Sequence, residues 1–217
     1  MKKEFQKRIF SSLVIIPIAF FFVIKGAIFF LFFLSIFYLA TTYEWLKMNK
    51  KRLYKFIGSI YLFFAFYSAF LLRSDFGLNI FLFIILICIF TDIGGYIFGK
   101  TFKGPKLTKI SPNKTYAGMI GSFVLSIIAA SVFTEYQSFF TFFEVSIILK
   151  NDLNYILIIL FISFISQIGD LIISYFKRLA KIKDTGKFIP GHGGLLDRVD
   201  GIIFAIPASY ILFNLLI

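Results

Sequence analysis

The sequence predicts an all-α, polytopic integral membrane protein with about seven transmembrane helices. Hydrophobic residues make up 59% of the 217 positions, and the mean hydropathy is +0.89. The apolar residues form repeated runs close to the roughly 20 residues that a helix needs to cross a bilayer core. A β-barrel would instead show short strands of alternating polarity. The predicted spans are residues 9–24, 27–43, 54–72, 78–98, 116–134, 153–175 and 201–217.

The first two spans are separated at Lys25-Gly26. One helix over 9–43 would be roughly 50 Å long at about 1.5 Å per residue, which exceeds a core thickness of roughly 30 Å. A tight hairpin of two helices is therefore predicted. The basic start is also typical of a signal peptide, but no small-x-small cleavage site follows, so we expect a retained first helix. Residues 135–152 are predicted to be an external loop or an interfacial segment, since their apolar stretch is short and contains Glu144.

Lysine and arginine residues are concentrated on one predicted side of the membrane. Of the 23 Lys and Arg residues, 20 lie in alternate connecting segments. The positive-inside rule therefore predicts a cytoplasmic N-terminus and places these segments in the cytoplasm. A net charge of +12 distributed in this way is expected to meet anionic headgroups and phosphorylated ligands, with no nucleic-acid partner. The basic segments are residues 1–8, 44–55, 99–115 and 176–200.

Polar residues are concentrated in residues 166–200, between the last two spans, together with the only histidine, His192. Carboxylates bind hard divalent cations, whereas Lys, Arg and backbone N–H groups bind phosphate. Both sets side by side predict metal-assisted chemistry on a phosphorylated substrate. The carboxylates are Asp170, Asp184, Asp197 and Asp200. The cations are Lys177, Arg178, Lys181, Lys183, Lys187 and Arg198.

The spacings in this stretch favour a site over a solvated basic loop. Positive-inside lysines alone would not explain Asp170, a carboxylate within an apolar run. Asp197 and Asp200 would share a face if their turn is helical. The glycines of residues 190–194, including Gly193 and Gly194, allow positive φ and close approach of the backbone to a ligand. If the preceding helix continues, one face carries Asp170, Ser174, Lys177 and Lys181.

A second candidate region covers residues 91–118. Asp92, Gly95, Tyr96 and Gly99 share one helical stripe, and the Gly95-x3-Gly99 pair is typical of close helix packing. An intramembrane carboxylate such as Asp92 indicates a functional site, with an interhelical hydrogen bond as the alternative.

The loop after this helix predicts a second helix start. Ser111 is predicted to cap the helix and Pro112 to occupy its first position. Lys114 and Thr115 on the first turn would form an anion site, or else an ordinary capped helix with positive-inside lysines.

Two segments resemble the phosphatidate cytidylyltransferase (CDP-diacylglycerol synthase) family. The resemblance covers about residues 91–205, within one membrane domain of residues 1–217 whose residues 1–90 are expected to be lipid-facing scaffold. It departs at Ala117 and Ile173, where the family often has Glu. One segment is Asp92-x3-Tyr96-x2-Gly99 followed by Ser111-Pro112-x-Lys114-Thr115. The other is Ser174-x2-Lys177-Arg178-x4-Lys183-Asp184-x-Gly186-x3-Pro190-Gly191-His192-Gly193-Gly194-x-Leu196-Asp197-Arg198-x-Asp200.

The resemblance implies that CTP and phosphatidate give CDP-diacylglycerol and pyrophosphate at the cytoplasmic face of a bacterial inner membrane. Mg²⁺ is implied, alone or with a second cation such as K⁺, in a monomer or homodimer. The implied catalytic residues are Asp170, Lys177, His192, Asp197 and Arg198. The implied phosphate-binding residues are Ser111, Lys114, Thr115, Arg178, Lys183, Gly193 and Gly194. The implied metal ligands are Asp170, Asp197 and Asp200, and further candidates are Asp92 and Asp184.

Two other functions fit parts of the same pattern. A CTP-dependent lipid-alcohol kinase would share the architecture but would need a base for its hydroxyl nucleophile. A membrane transporter would use Asp92 and Asp170 as coupling sites, and broken helices with an inverted repeat would favour it. The sequence contains no convincing repeat.

Overall fold

The computed structural model describes residues 13, 17–108, 110–136, 152–186, 188 and 193–216. Within these residues the regular secondary structure is helical, and Lys106 and Thr115 form an isolated bridge. The helices are α1 (17–25), α2 (Ala27–Met48), α3 (Arg52–Asp75), α4 (Gly77–Phe102), α5 (Tyr116–Tyr136), α6 (Asp152–Leu179), α7 (Leu196–Val199) and α8 (Ile202–Leu216).

The described helices confirm a polytopic helical membrane protein. Among them, α2 to α6 are each long and apolar enough to cross a membrane, and α8 is a shorter apolar helix of 15 residues. Large apolar side chains such as Phe32 and Leu39 are 58% and 66% exposed, as expected where lipid tails are the solvent. Residues 9–12 and 14–16 of the first predicted span, and the predicted external segment around Glu144, lie outside the described residues. The predicted membrane orientation stays a prediction.

The predicted break between the first two spans is confirmed. Gly26 has φ 63° and Ala27 has φ 46°, so α1 ends and α2 begins through two left-handed residues. Glycine adopts this conformation without steric cost, and the chain therefore turns at the residue expected from the length argument.

Two compact units divide the chain. The first comprises Met1–Phe70 and Phe176–Val199, and the second comprises Leu71–Tyr175 and Asp200–Ile217. The helices α3 and α6 each contribute residues to both units. The predicted single domain, with residues 1–90 as scaffold and 91–205 as catalytic core, stays a prediction.

Trp45 organises the aromatic core of the first unit. Its Nε1 donates to the backbone oxygen of Tyr54 at 2.9 Å, and its ring lies 4.8 Å from that of Phe176 in an edge-to-face arrangement. The Trp45 ring also fills the space where a Cβ on Gly58 would lie. Indole burial with a satisfied N–H therefore joins the end of α2, the start of α3 and the end of α6.

In the second unit, α4 and α5 pack through small residues. A Cβ on Gly94 would lie 2.5 Å from the backbone oxygen of Gly121, and one on Gly118 would lie 2.7 Å from that of Gly95. Ser122 Oγ donates to the backbone oxygen of Thr91 at 2.7 Å across the same contact. The close packing predicted from the glycines of α4 is confirmed, and α5 supplies the matching small residues.

The predicted helix start at Ser111 is wrong. Helix α5 begins at Tyr116, and Ser111 lies in a turn whose carbonyl accepts the Lys114 N–H at 3.0 Å. This turn reverses the chain, so that the Leu107 N–H bonds to the Lys114 carbonyl at 2.8 Å. The backbone groups of this loop therefore pair with each other rather than start a helix. Thr115 caps α5 instead, because its Oγ1 accepts the Gly118 N–H at 3.1 Å.

Candidate active site

A cavity of about 310 Å³ in the second unit collects residues from four successive elements. Its walls come from α4, the connecting loop, α5 and α6. The predicted site residues Asp92, Ser111, Lys114, Thr115 and Asp170 all line it. The size falls within the range of small-molecule sites, roughly 300–1,000 Å³.

The Lys114 ammonium and the Asp170 carboxylate form an ion pair at one wall of this cavity. Lys114 Nζ lies 2.5 Å from Asp170 Oδ2, and both side chains are 26% exposed. Ser174 Oγ, one turn further along α6, donates to Asp170 Oδ1 at 3.2 Å. A pair with this exposure contributes little to stability, on the order of 0–1 kcal/mol, so its members can exchange partners when a ligand enters.

Sequence analysis missed Gln167, which also lines the cavity. Its Nε2 is buried and has no hydrogen-bond partner among the described residues. Because buried amides are normally satisfied, this nitrogen is a donor available to a ligand. The sequence signal that could have identified Gln167 is its position one turn before Asp170 on the same helix.

Asp197 lies in the first unit, where protein donors surround its carboxylate. Oδ2 accepts the backbone N–H groups of Thr185 at 2.7 Å and Gly194 at 3.1 Å, and the Thr185 hydroxyl at 3.0 Å. Oδ1 accepts from Lys177 Nζ at 2.8 Å. The Asp197 side chain is 6% exposed and that of Lys177 is 13% exposed. Oδ1 accepts one of these hydrogen bonds and Oδ2 accepts three, so Oδ1 is the oxygen with capacity left for a cation.

The glycine-rich segment before Asp197 has the predicted positive φ at Gly193, whereas the close approach to a ligand stays a prediction. Gly193 has φ 90°, and a Cβ there would lie 3.3 Å from the Asp184 Cβ and 3.4 Å from Asp197 Oδ2. Gly194 is buried. His192, the other site residue predicted in this segment, lies outside the described residues, so its role stays a prediction.

The polar helix face predicted on α6 is shorter than expected. The helix ends at Leu179, and Lys181 has a left-handed φ of 57°, so Lys181 does not continue the face that carries Asp170, Ser174 and Lys177. The reason is that the chain reverses here, with the Ile182 N–H bonded to the Lys177 carbonyl at 3.0 Å. Among the other predicted site residues of this region, the exposed ones are Arg178, Lys183, Asp184 and Arg198.

Two further positions are buried. Asp200 is 8% exposed, and its Oδ1 accepts the Gly201 N–H at 3.0 Å. Ile173, where the resembling family often has Glu, is 3% exposed. Ile173 therefore contributes to packing, and the chemistry of this chain does not use a carboxylate at that position.

The donors suit a hard divalent cation bound together with a substrate. In the described part of the chain, no three His, Cys, Asp or Glu side chains lie close enough together to hold a metal ion by themselves. Mg²⁺ is usually bound by one or two carboxylates plus substrate phosphates, which needs no such group. In the cavity, the carboxylates of Asp92 and Asp170 outnumber the Lys114 ammonium, so a bound polyphosphate would require an added cation. The residues therefore fit Mg²⁺.

The fold is that of a multi-pass membrane protein, and it carries two lysine–carboxylate clusters, Lys114 with Asp170 and Lys177 with Asp197. Residues 51–216 match the model of the cytidylyltransferase family. The match covers well over half of the chain, so the chain belongs to that family. Both clusters, with Asp170 and Asp197, lie within the matched residues.

The chain is similar to several bacterial proteins named phosphatidate cytidylyltransferase. That of Staphylococcus haemolyticus is 42% identical over 141 residues, or 64% of this chain and 50% of that protein. That of Staphylococcus aureus (strain COL) is 40% identical over 141 residues, with the same coverage of both chains. That of Bacillus subtilis is 34% identical over 165 residues, or 73% of this chain and 57% of that protein. The chain thus spans about half the length of the curated relatives it matches.

Proposed function

We propose that the protein transfers the cytidylyl group of CTP to phosphatidate, giving CDP-diacylglycerol and pyrophosphate. The family match over residues 51–216 carries this proposal, since it includes both lysine–carboxylate pairs. The names of the relatives supply the acceptor, phosphatidate, and the transferred group, cytidylyl. Neither alternative that the sequence left open, a lipid-alcohol kinase or a transporter, has a specific observation in its favour.

The reaction requires little acid–base chemistry. A phosphate oxygen of phosphatidate attacks the α-phosphorus of CTP, a new P–O bond forms, and the bond from this phosphorus to the β-bridging oxygen breaks. Pyrophosphate leaves with the electron pair. Because the nucleophile is already anionic, the protein has mainly to hold two polyanions in line and to stabilise the charge that develops.

The cavity of the second unit suits the triphosphate. In the proposal, Lys114 exchanges Asp170 for phosphate oxygens, and the Ser111 hydroxyl and the Gln167 amide donate to the same group. A divalent cation compensates the carboxylates that remain. In the first unit, Lys177 makes the corresponding exchange from Asp197, and Arg178, Lys183 and Arg198 add positive charge.

The proposed carboxylate ligands of Mg²⁺ are Asp170, Asp197 and Asp200, and the ion would neutralise phosphate charge and act as a Lewis acid at the transferring phosphorus. The proposal also includes a second cation, such as K⁺, in addition to Mg²⁺. The chain's own contribution is to keep these carboxylates oriented through Ser174 and Thr185.

We further propose that the reaction takes place at the cytoplasmic surface of a bacterial inner membrane. The supporting observation is the one-sided distribution of 20 of the 23 Lys and Arg residues. Phosphatidate would enter from the inner leaflet and CTP from the cytoplasm. A homodimer is compatible with this arrangement and is testable by cross-linking in the membrane.

Label position in CTP distinguishes the proposed reaction from its nearest rival. Purified protein in phospholipid nanodiscs would receive CTP labelled at the α- or the γ-phosphate, with phosphatidate or a lipid alcohol. Cytidylyl transfer places α-label in the lipid fraction with phosphatidate, whereas a kinase places γ-label there with the alcohol. Asp170→Asn should remove the α-label product. The matched control is Asp75→Asn, an acid in a polar contact with Tyr210, and it should retain turnover. Lipid γ-label without α-label would overturn the proposal.

A further inference from the structure

Glu44 is a buried carboxylate that no sequence motif singled out. It lies in the last turns of α2, is 1% exposed, and precedes residues 51–216, which match the family model. A carboxylate at this depth is costly unless hydrogen-bond donors satisfy it. Its donors come from the segment that carries Asp197.

Both Glu44 oxygens bind backbone N–H groups at the start of α7. The Leu195 N–H donates to Oε1 at 3.0 Å, and the Leu196 N–H donates to Oε2 at 2.8 Å. The first N–H groups of a helix have no acceptor within that helix. Glu44 supplies these acceptors from α2, so the orientation of the α7 backbone is coupled to a helix elsewhere in the sequence.

Thr185 connects Glu44 to Asp197. Its hydroxyl lies 2.9 Å from Glu44 Oε2 and 3.0 Å from Asp197 Oδ2, and its backbone N–H donates to the same Asp197 oxygen at 2.7 Å. A hydroxyl has one proton, so it is shared between two acceptors that would otherwise repel each other. Thr185 is 5% exposed, which strengthens these bonds relative to the same bonds in water.

Two glycines leave the space that this contact needs. A Cβ on Gly186 would overlap the Glu44 carboxylate, and a Cβ on Gly194 would lie 2.6 Å from Glu44 Oε2. Both glycines belong to the segment between α6 and α7. The glycine content of that segment is therefore explained in part by Glu44, before any ligand is considered.

We propose that Glu44 is a positioning residue that fixes the Asp197 segment in the orientation used for cytidylyl transfer. It acts through the backbone of Leu195 and Leu196 and through the Thr185 hydroxyl, and it does not touch substrate. The inference rests on the proposed function. A carboxylate is required because each oxygen faces a backbone N–H. Glutamine would direct its own NH₂ group at one of these two donors.

The test compares Glu44→Gln and Thr185→Val with Thr41→Val in nanodiscs. Thr41 is a matched control, because it lies one turn earlier on α2, is fully buried, and its hydroxyl bonds the Phe37 carbonyl of its own helix at 2.7 Å. Turnover, the KM for CTP and the Mg²⁺ dependence are measured. Hydrogen–deuterium exchange of residues 193–199 is followed without nucleotide, so that the contact is read independently of activity.

Glu44→Gln should lower kcat by about 10- to 100-fold and raise the half-saturating Mg²⁺ concentration, as loss of an outer partner of a ligating group does. The KM for CTP should change by less than about threefold, because the proposed triphosphate residues in the cavity are untouched. Exchange should accelerate at residues 194–197 and stay unchanged at residues 153–175. Thr185→Val should act in the same direction, and Thr41→Val should match the wild type.

Unchanged turnover and exchange in both Glu44→Gln and Thr185→Val would overturn the inference. So would a loss of activity that merely follows the loss of folded protein, with faster exchange along the whole chain. If Glu44→Gln does not fold, Thr185→Val decides. If the wild-type protein forms no CDP-lipid, the proposed function fails, while the exchange data still decide whether Glu44 holds the Asp197 segment.

Discussion

Asp170 and Asp197 each pair with a lysine, but the protein holds them in different ways. Lys114 and the Ser174 hydroxyl, both side-chain donors, are among the partners of Asp170, which is 26% exposed beside a cavity. Asp197 is 6% exposed and accepts two backbone N–H groups in addition to Lys177. Side chains can swing away, whereas backbone donors move only with the chain. The first carboxylate is thus adjustable and the second is fixed.

This difference predicts which of the two clusters, Lys114 with Asp170 or Lys177 with Asp197, contributes to stability as well as to catalysis. An adjustable carboxylate beside a cavity can release its lysine to a phosphate at little cost. A fixed and buried carboxylate keeps its geometry before substrate arrives, which is what preorganised electrostatic stabilisation requires. Variants at the first cluster should therefore affect catalysis with little loss of stability, and variants at the second should affect both.

Asp197→Asn should have the largest effect. Turnover should fall by about 10³-fold, the upper range for loss of a transition-state contact, because a proposed Mg²⁺ ligand is lost. Lys177 is left as a partly buried cation without its carboxylate, so the free energy of unfolding should fall by about 3 kcal/mol. Radiolabelled product formation and equilibrium unfolding in mixed micelles measure the two effects. Stability equal to that of the wild type would contradict the buried pair.

Asp170→Asn should lower turnover by at least about 10²-fold. Its effect on the free energy of unfolding should stay below about 1 kcal/mol, because the pair with Lys114 is partly exposed. The same assays on the same preparation give the comparison with Asp197→Asn. If both variants destabilise the protein equally, the distinction between an adjustable and a fixed carboxylate is wrong.

The two lysines sharpen the comparison, since Lys→Met removes charge while keeping the length of the chain. Lys177→Met should destabilise the fold by roughly 2–3 kcal/mol, because Asp197 stays buried with neutral donors only. Lys114→Met should cost less than about 1 kcal/mol and should act mainly by raising the KM for CTP. Unfolding curves and initial rates at varied CTP distinguish them. A KM effect confined to Lys177→Met would reverse the proposed roles.

Thr115→Ala should lower the free energy of unfolding by about 1 kcal/mol, because it removes the hydroxyl that caps α5 at the Gly118 N–H. Thr115→Ser is the control, since it keeps the capping oxygen and should restore stability. The measurement is again equilibrium unfolding. Equal stability of the alanine and serine variants would show that the cap contributes nothing.

Local sequence patterns predicted some of the candidate site and missed other parts for identifiable reasons. The positions of Asp92 and Asp170 were recognisable because carboxylates are rare within apolar runs. Lys114 was recognisable from its place in the resembling segment Ser111-Pro112-x-Lys114-Thr115. The helix start at Ser111 was mispredicted, because capping preference could not reveal the competing backbone bridge to the loop before it. Gln167 was missed, since an amide in an apolar helix carries no charge signal.

The sequence by itself determined the helices, because apolar segments in lipid must satisfy their backbone groups internally and the glycine at position 26 allows the turn between two of them. Only the tertiary structure decided which donors hold Asp197. Glu44 and Thr185 are 141 residues apart in the chain, and their hydrogen bond depends on how α2 packs beside α7. A contact of that separation leaves no periodicity in the sequence, since Glu44 alone resembles an ordinary polar residue near a helix end and Thr185 an ordinary polar residue between two helices.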